Sequence, residues 1–168
     1  KFLSLGIQPW CDNFLKESDL SKSEPEYPLE LFFCNHCTLV QLGYTVPKET
    51  MFIDYVYLSG TTRSLEEHFK LTAKHIVDKF NLNSADLVLD IGSNDGTFLD
   101  KFKNLGVKVL GVDPGKKQTE LATKKGIETV NDFFNEDVAE RILKKFGKTS
   151  IISAAGVFFH LEELHSVV

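Results

Sequence analysis

The chain has few cysteines, no long apolar run and no segment in which charges of one sign are massed. Its three cysteines are too few, and odd in number, for a disulfide framework, which favours a reducing, cytoplasmic setting. The longest nearly unbroken apolar stretch, residues 151 to 159, is too short to cross a bilayer. A net charge of −5 with scattered lysines gives no electrostatic footprint for nucleic acid. We therefore expect neither a membrane nor a nucleic-acid partner.

Prolines concentrate in the first part of the chain, whereas apolar strands alternate with helical patterns after about residues 81 to 86. The early region is irregular and carries four prolines, Pro9, Pro25, Pro28 and Pro47. Strands that alternate with helices are typical of βαβ units and a parallel sheet. The sequence therefore predicts an α/β protein with a Rossmann-like parallel sheet, preceded by a small irregular region.

Four short runs rich in Val, Ile and Leu predict buried parallel strands, at residues 87–91, 108–113, 127–130 and 150–155. Helices are predicted at residues 64–80, 97–105, 116–125 and 136–146. The last of these has the clearest ends, because Asn135 is a good N-cap and Gly147 follows the final turn. The apolar faces that we expect to be buried include Phe80 and Leu105.

The segment L-V-L-D-I-G-S-N-D-G-T-F-L, residues 87–99, is a strand that runs through a glycine-containing turn into a helix. In an open α/β sheet a nucleoside cofactor docks at this place, outside the carboxyl ends of the strands. Gly92 and Gly96 allow backbone conformations and close approach that a β-carbon would block. Asn94, between them, tolerates a left-handed conformation.

Asp90, at the end of the first sheet strand, separates this loop from a dinucleotide site. A pyrophosphate binder needs backbone amides there, and a carboxylate would repel the phosphates. S-adenosylmethionine has no phosphate but carries an ammonium and a sulfonium, which an acidic turn suits electrostatically. Asp90 therefore favours S-adenosylmethionine, and an Asx turn that organises the loop is its alternative role.

Other candidate site residues follow the later strands. Asp113 is placed to accept the ribose hydroxyl protons, a role shared with NAD-binding folds, and a helix N-cap is its alternative role. Asp132 and Phe133 could hold the adenine by a hydrogen bond and stacking, although a core role is at least as common for such a Phe. His160 is near the carboxyl end of the fourth strand, where a structural role is the alternative to a catalytic one.

Three motifs together resemble the class I S-adenosylmethionine-dependent methyltransferases, and especially the sugar C-methyltransferase family. These motifs are D-I-G-S-N-D-G-T-F-L, G-V-D-P and V-F-F-H-L-E-E-L. The first half agrees through L-G-I-Q-P-W-C-D-N-F-L, Y-P-L-E-L-F-F-C-N-H-C-T-L-V-Q-L and Y-V-Y-L-S-G-T-T-R-S-L-E-E-H-F. The resemblance implies an N-terminal zinc-binding and substrate region, residues 1–63, and an S-adenosylmethionine-binding domain, residues 64–168. It also implies that the first is incomplete upstream and the second downstream.

The resemblance also implies roles for individual residues. The residues expected to bind S-adenosylmethionine are Asp90, Gly92, Ser93, Asn94, Gly96, Asp113 and Pro114. Tyr55 or Tyr57 is expected to line the sugar site. Where the family carries two asparagines before V-F, this chain has Ala155 and Gly156, so contacts to the methionine end of the cofactor are not carried over.

Cys34 and Cys37 form a Cys-x-x-Cys turn between two apolar segments, 29–33 and 38–42, in the manner of a zinc knuckle. Structural zinc needs four ligands, and this turn supplies two. The resemblance implies that two further cysteines, outside this chain, complete a four-cysteine site and that Cys11 is not a ligand. A redox dithiol is the alternative, although such a motif normally opens a helix.

The sequence therefore predicts methyl transfer from S-adenosylmethionine to a carbon of a nucleotide-linked keto sugar. Tyr55, Tyr57 and His160 are the catalytic candidates within the chain. The alternatives are an NAD-dependent sugar oxidoreductase, which Asp90 disfavours, and a non-catalytic module that binds zinc and a cofactor.

Overall fold

The computed structural model describes residues 1–161 and 164–168, and their contacts divide the chain into two compact units. The first unit is Lys1–Met51 and the second is Phe52–Val168. Residues 52–63, which the sequence pattern groups with the N-terminal region, share their contacts with the second unit. Within the described part, no helix is long and apolar enough to cross a membrane.

The first unit contains an antiparallel sheet of three strands in the order β1-β2-β3. Its strands are β1 (Leu3–Pro9), β2 (Glu26–Phe33) and β3 (Val40–Leu42). The hairpin of β2 and β3 is the predicted one, with the Cys-x-x-Cys sequence in its turn. Strand β1 was not predicted, and it pairs with β2 across an irregularity between Ser4 and Ile7.

The second unit is built from alternating strands and helices, preceded by a short helix, α1 (Lys48–Phe52), at the boundary in the sequence. Its helices are α2 (Arg63–Phe80), α3 (Thr97–Asn104), α4 (Lys116–Lys124), α5 (Glu136–Phe146) and α6 (Leu164–Val167). Its strands are β4 (Leu87–Ile91), β5 (Lys108–Val112), β6 (Thr129–Val130) and β7 (Ile151–Ser153). The predicted α/β class is therefore confirmed.

The four strands of the second unit form a parallel sheet in the order β6-β5-β4-β7. The chain leaves β4 to one side to form β5 and β6, and then returns to the other side of β4 to form β7. The strand order therefore reverses at β4, and ligands of open α/β sheets bind outside the carboxyl ends of the strands at such a point. Asp90 lies there, paired with Gly111 on β5 and Ser153 on β7.

Two apolar clusters cover the two faces of this sheet. One contains Phe69 of α2, Phe98 and Phe102 of α3, and Val88 of β4. The other contains Leu89 and Leu110 of the sheet with Val138 and Ile142 of α5. Alternate residues of β4 point to opposite faces, and all five residues of the strand are buried, as its mostly apolar sequence predicts.

Two predicted core residues are exposed instead. Phe80 is 53% exposed and Leu105 is 43% exposed. Phe80 is the last residue of α2, before the left-handed Asn81 that ends the helix. Leu105 follows the last residue of α3 and takes part in its closing turn. Both residues are thus exposed at the end of a helix, although their spacing fits its buried face.

Candidate functional site

Asp90 is a buried carboxyl at the carboxyl end of β4. It is 3% exposed, and its Oδ1 accepts a hydrogen bond of 2.6 Å from the Ser153 hydroxyl. Burial raises the pKa of Asp90 to about 7, against the hydrogen bond from Ser153 and with a smaller contribution from the charge of Asp113. Among residues 1–161 and 164–168, no basic side chain forms an ion pair with it.

The loop after β4 turns sharply because three of its residues have positive φ. Gly92 has φ 67°, Asn94 has φ 52° and Gly96 has φ 74°. A β-carbon on Gly92 would collide with the Val157 side chain, and one on Gly96 would lie 2.7 Å from Ile127 Cδ1. The loop therefore needs glycine both for its backbone conformation and for close packing. The expected left-handed conformation of Asn94 is confirmed.

Asp113 follows β5 and joins its end to the loop. Its Oδ2 accepts the backbone N–H of Asn94 at 2.8 Å, and its Oδ1 accepts that of Gly115, beyond Pro114, at 2.8 Å. Burial raises the pKa of Asp113, against these two hydrogen bonds, and the charge of Asp95 raises it further. An ionised carboxylate has about four lone-pair sites. Each oxygen of Asp113 therefore retains capacity to accept from a ligand hydroxyl.

The Asn94 side chain is turned toward residues 57–59. Its Oδ1 accepts the backbone N–H of Ser59 at 3.0 Å and that of Asp95 at 2.9 Å. Its Nδ2 donates to the carbonyl oxygen of Tyr57 at 3.1 Å. Asn94 was predicted to bind the cofactor, and these contacts give its side chain a second role, in holding the segment that carries the tyrosines.

The structure brings the three catalytic candidates into one aromatic cluster around Phe52. The Phe52 ring centroid lies 5.5 Å from that of Tyr55 and 5.4 Å from that of His160, and the centroids of Tyr55 and Tyr57 are 6.2 Å apart. Partial burial lowers the pKa of His160. A neutral imidazole is the form that can accept a proton. The cluster thus combines a proton acceptor with two phenol groups.

Asp132 and Phe133 follow β6, at the predicted adenine position. Asp132 Oδ2 accepts from Arg141 Nη2 at 2.6 Å, and its Oδ1 accepts the backbone N–H of Phe133 at 2.9 Å. The ion pair is partly exposed, which leaves it weak and open to rearrangement. Both oxygens of Asp132 therefore have protein partners, in contrast to the single hydroxyl partner of Asp90.

Two buried side-chain oxygens have no hydrogen-bond partner in the part of the chain that the structure describes, Ser93 Oγ and Gln118 Oε1. Ser93 belongs to the loop after β4, and Gln118 belongs to α4. A buried polar atom without a partner costs free energy and is rare in native proteins. Ser93 Oγ, in the loop after β4, is therefore a candidate for contact with a ligand, and Gln118 Oε1 is a candidate for contact with an ordered water.

Sequence reasoning missed three residues of this site, Asp95, Gln118 and Ser153. Asp95 Oδ2 accepts the backbone N–H of Gly60 at 3.2 Å and pairs with Lys125 at 3.1 Å. Burial alone would raise the pKa of Asp95, but its hydrogen bonds to Thr97 and Lys125 outweigh burial and lower it. Asp95 lies inside the quoted motif, which is a signal that could have identified it. Gln118 and Ser153 carry no comparable signal.

The Cys-x-x-Cys turn of the first unit places backbone donors around one thiol. Hydrogen bonds from the backbone of Cys37 and His36 lower the pKa of Cys34. The turn closes through Thr38 N–H to the Cys34 carbonyl at 2.8 Å, with Thr38 at φ 62°. Thiolate is the form that binds zinc. Across the described residues no group of three or more metal-ligating side chains comes together.

Two family models match separate parts of the chain. Residues 64–168 match the family model of a methyltransferase domain, and residues 1–52 match that of a zinc-binding domain. The C-methyltransferase NovU of Streptomyces niveus is 29% identical over 166 residues, which are 99% of this chain and 40% of NovU. The chain therefore spans less than half the length of that relative.

The resemblance inferred from the sequence motifs is thus confirmed at the level of the family. The match to the methyltransferase domain covers more than half of the chain and includes the loop after β4 and the Asp113 turn. The chain belongs to the family of methyltransferase domains, and its first 52 residues are similar to a zinc-binding domain.

Proposed function

We propose that the full protein uses S-adenosylmethionine to methylate a carbon of a nucleotide-linked keto sugar. The observation that carries the proposal is the buried carboxyl of Asp90, at the strand-order reversal and without a cationic partner among the described residues. The name of the similar C-methyltransferase NovU supports carbon as the acceptor atom. The sugar is an expectation from the sequence motifs.

The residues at the carboxyl ends of β4 and β5 suit S-adenosylmethionine chemically. A cationic ligand beside Asp90 would favour its charged form and lower a pKa that burial holds at about 7. Asp113 offers carboxylate oxygens to ribose hydroxyls, and Ser93 Oγ is a buried atom in need of a partner. Gly92 and Gly96 keep β-carbons out of a crowded loop. These oxygen atoms and the glycine-containing loop therefore suit a cationic nucleoside.

Carbon methylation requires that the acceptor carbon become nucleophilic. S-adenosylmethionine supplies the methyl group as an electrophile when bound. A carbon beside a ketone becomes nucleophilic when a base removes its proton and donors stabilise the enolate oxygen. His160 can accept that proton as a neutral imidazole, and the phenols of Tyr55 and Tyr57 can donate hydrogen bonds to the enolate oxygen. Further residues of the full protein would complete this site.

Replacement of Asp113 tests the cofactor assignment. We expect Asp113→Ala to weaken binding of S-adenosylhomocysteine by about 1.5 to 3 kcal/mol, because a charged acceptor of the ribose is lost. Calorimetry on both variants measures the change. Asp78→Ala is the control, because it removes an exposed carboxylate of α2 that pairs with Lys74. Protection from heat by NAD but not by S-adenosylhomocysteine would contradict the proposal.

Replacement of Asp90 tests the role of its charge. Because the pKa of Asp90 is about 7, affinity for S-adenosylmethionine should rise with pH up to about 7, by at most about tenfold per unit. Folding raises the pKa of Asp90, so its contribution to stability falls as pH increases through the same window. We expect Asp90→Asn to weaken the pH dependence of binding and to stabilise the free protein at pH values above about 7.

The control for Asp90→Asn is replacement of Asp86, a carboxylate just before β4. Hydrogen bonds from Ser150 and the Asn83 backbone lower the pKa of Asp86. Asp86→Asn should therefore destabilise the protein at neutral pH and leave the pH dependence of binding intact. Denaturant titrations and calorimetry at several pH values measure both quantities. Equal pH dependence of binding in wild type and Asp90→Asn would remove Asp90 from the cofactor site.

We further propose that zinc is held by Cys34, Cys37 and two cysteines of the full protein outside these 168 residues. Metal analysis after dialysis should find one zinc per chain in the full protein and weak or no binding by the 168 residues alone. Cys34→Ser in the full protein should release the metal, whereas Cys11→Ser should not. Tight binding of one zinc by these residues alone would show that other ligands, such as His36, complete the site.

The chemistry of methyl transfer is tested by hydrogen exchange at carbon. The full protein should exchange the proton beside the ketone of a nucleotide keto sugar with deuterium oxide. Tyr55→Phe or Tyr57→Phe should slow methylation by about ten- to a hundredfold, with binding of S-adenosylhomocysteine retained. Tyr44→Phe, which alters a tyrosine stacked on Tyr27, is the control. Methylation of a hydroxyl or amine without exchange at carbon would refute carbon methylation.

A further inference from the structure

The segment that carries the two tyrosines is held mainly through its backbone. Gln118 Nε2 donates to the carbonyl oxygen of Tyr55 at 2.6 Å and to that of Tyr57 at 3.3 Å. Asn94 binds the Tyr57 carbonyl and the Ser59 N–H, and Asp95 accepts the N–H of Gly60. Side chains of the second unit therefore bind four backbone groups within six residues.

The partners of this segment also belong to the candidate cofactor site. Asn94 is tied to Asp113 through its backbone N–H, at 2.8 Å. Gln118 Oε1 and Asp113 Oδ1 both face Gly115, where an added β-carbon would lie against the first and 3.0 Å from the second. One connection thus runs from Asp113 through Asn94 to Tyr57, and a second runs from the neighbourhood of Asp113 through Gln118 to Tyr55.

Gln118 is an unusual residue for its helix. It is 1% exposed, whereas its neighbours Lys116 and Lys117 are exposed. Its amide group satisfies two carbonyl oxygens but leaves its own Oε1 without a partner among the described residues. Burial of a long polar side chain with one unsatisfied atom costs stability. The two hydrogen bonds that Gln118 donates to the Tyr55 and Tyr57 carbonyl oxygens offset this cost.

We propose that Asn94, Asp95 and Gln118 form a clamp that fixes residues 55–60 to the cofactor loop, with Gln118 as a positioning residue for Tyr55 and Tyr57. Through the clamp, the positions of Tyr55 and Tyr57 depend on the conformation of the loop after β4. Its catalytic consequence rests on the proposed function, because only a reaction at the aromatic cluster requires the tyrosines to be placed. The clamp itself does not depend on it.

Amide hydrogen exchange in the full protein tests the clamp without any assay of activity. The N–H groups of Ser59 and Gly60 report on it, because their acceptors are side chains of the clamp. Gln118→Met keeps the length and burial of the side chain but removes both donors. We expect exchange at Ser59 and Gly60 to accelerate about tenfold or more in this variant. Lys117→Met, at an exposed neighbouring position on the same helix, should leave it unchanged.

S-adenosylhomocysteine is the probe of coupling to the loop. Its addition should slow exchange at Ser59 and Gly60 in the wild type and do so less in Gln118→Met. Exchange in Gln118→Met equal to that in Lys117→Met would overturn the clamp. Absence of any binding of S-adenosylhomocysteine by the wild type would overturn the proposed function and the coupling, while the exchange without ligand still decides on the clamp.

Kinetics of the full protein with a nucleotide keto sugar test the positioning role. Gln118→Met should lower kcat by about tenfold, because small displacements of catalytic groups are costly. The dissociation constant of S-adenosylhomocysteine should change by less than about threefold, since Gln118 is not proposed to bind the ligand. Thermal unfolding monitors the fold. Faster exchange with an unchanged kcat would show that Gln118 holds the segment without positioning the tyrosines.

Discussion

The hydrogen bond from the Asn94 backbone to the Asp113 carboxylate joins the loop after β4 to the end of β5, and the candidate site depends on it. The bond forms because Asn94 and the glycines on either side of it adopt positive φ, which turns the loop back toward β5. The N–H groups of Gly92 and Ser93 reach the same strand end, at the Val112 carbonyl. The loop is therefore anchored to β5 before α3 begins, and the position of the clamp follows from that anchor.

A helix whose ends are marked by residues next to it in the sequence was predicted with the correct bounds. Helix α5 begins after Asn135, whose Oδ1 accepts the Val138 N–H at 2.9 Å, and ends before Gly147. The strand predicted at 127–130 is shorter, because Ile127 closes the end of α4 through its N–H to the Ala122 carbonyl and is buried in the core. An apolar residue in a closing turn cannot be distinguished by periodicity from the first residue of a strand.

The residues of the candidate site also differ in whether nearby or distant parts of the sequence determine their positions. Asp90 and Asp113 could be predicted because each directly follows or ends a buried strand, where the fold places ligand-binding groups. Gln118 could not, because a glutamine among lysines is typical of an exposed helix face. Its burial depends on Tyr55 and Tyr57, more than sixty positions earlier in the sequence. A contact over that distance has no periodic signature in one sequence.

Three acidic residues lie around the loop, Asp90, Asp95 and Asp113. Different groups stabilise their negative charges, and Asp90 has the fewest such groups. Lys125 balances the charge of Asp95, and two backbone N–H groups stabilise that of Asp113. Asp90 has one hydroxyl donor, from Ser153, and burial raises its pKa to about 7. A buried carboxylate is costly unless a cation or several donors accompany it. Ionised Asp90 therefore leaves a negative charge that the described part of the chain does not neutralise. A ligand that brings a positive charge to this point gains free energy there, and a phosphate loses it.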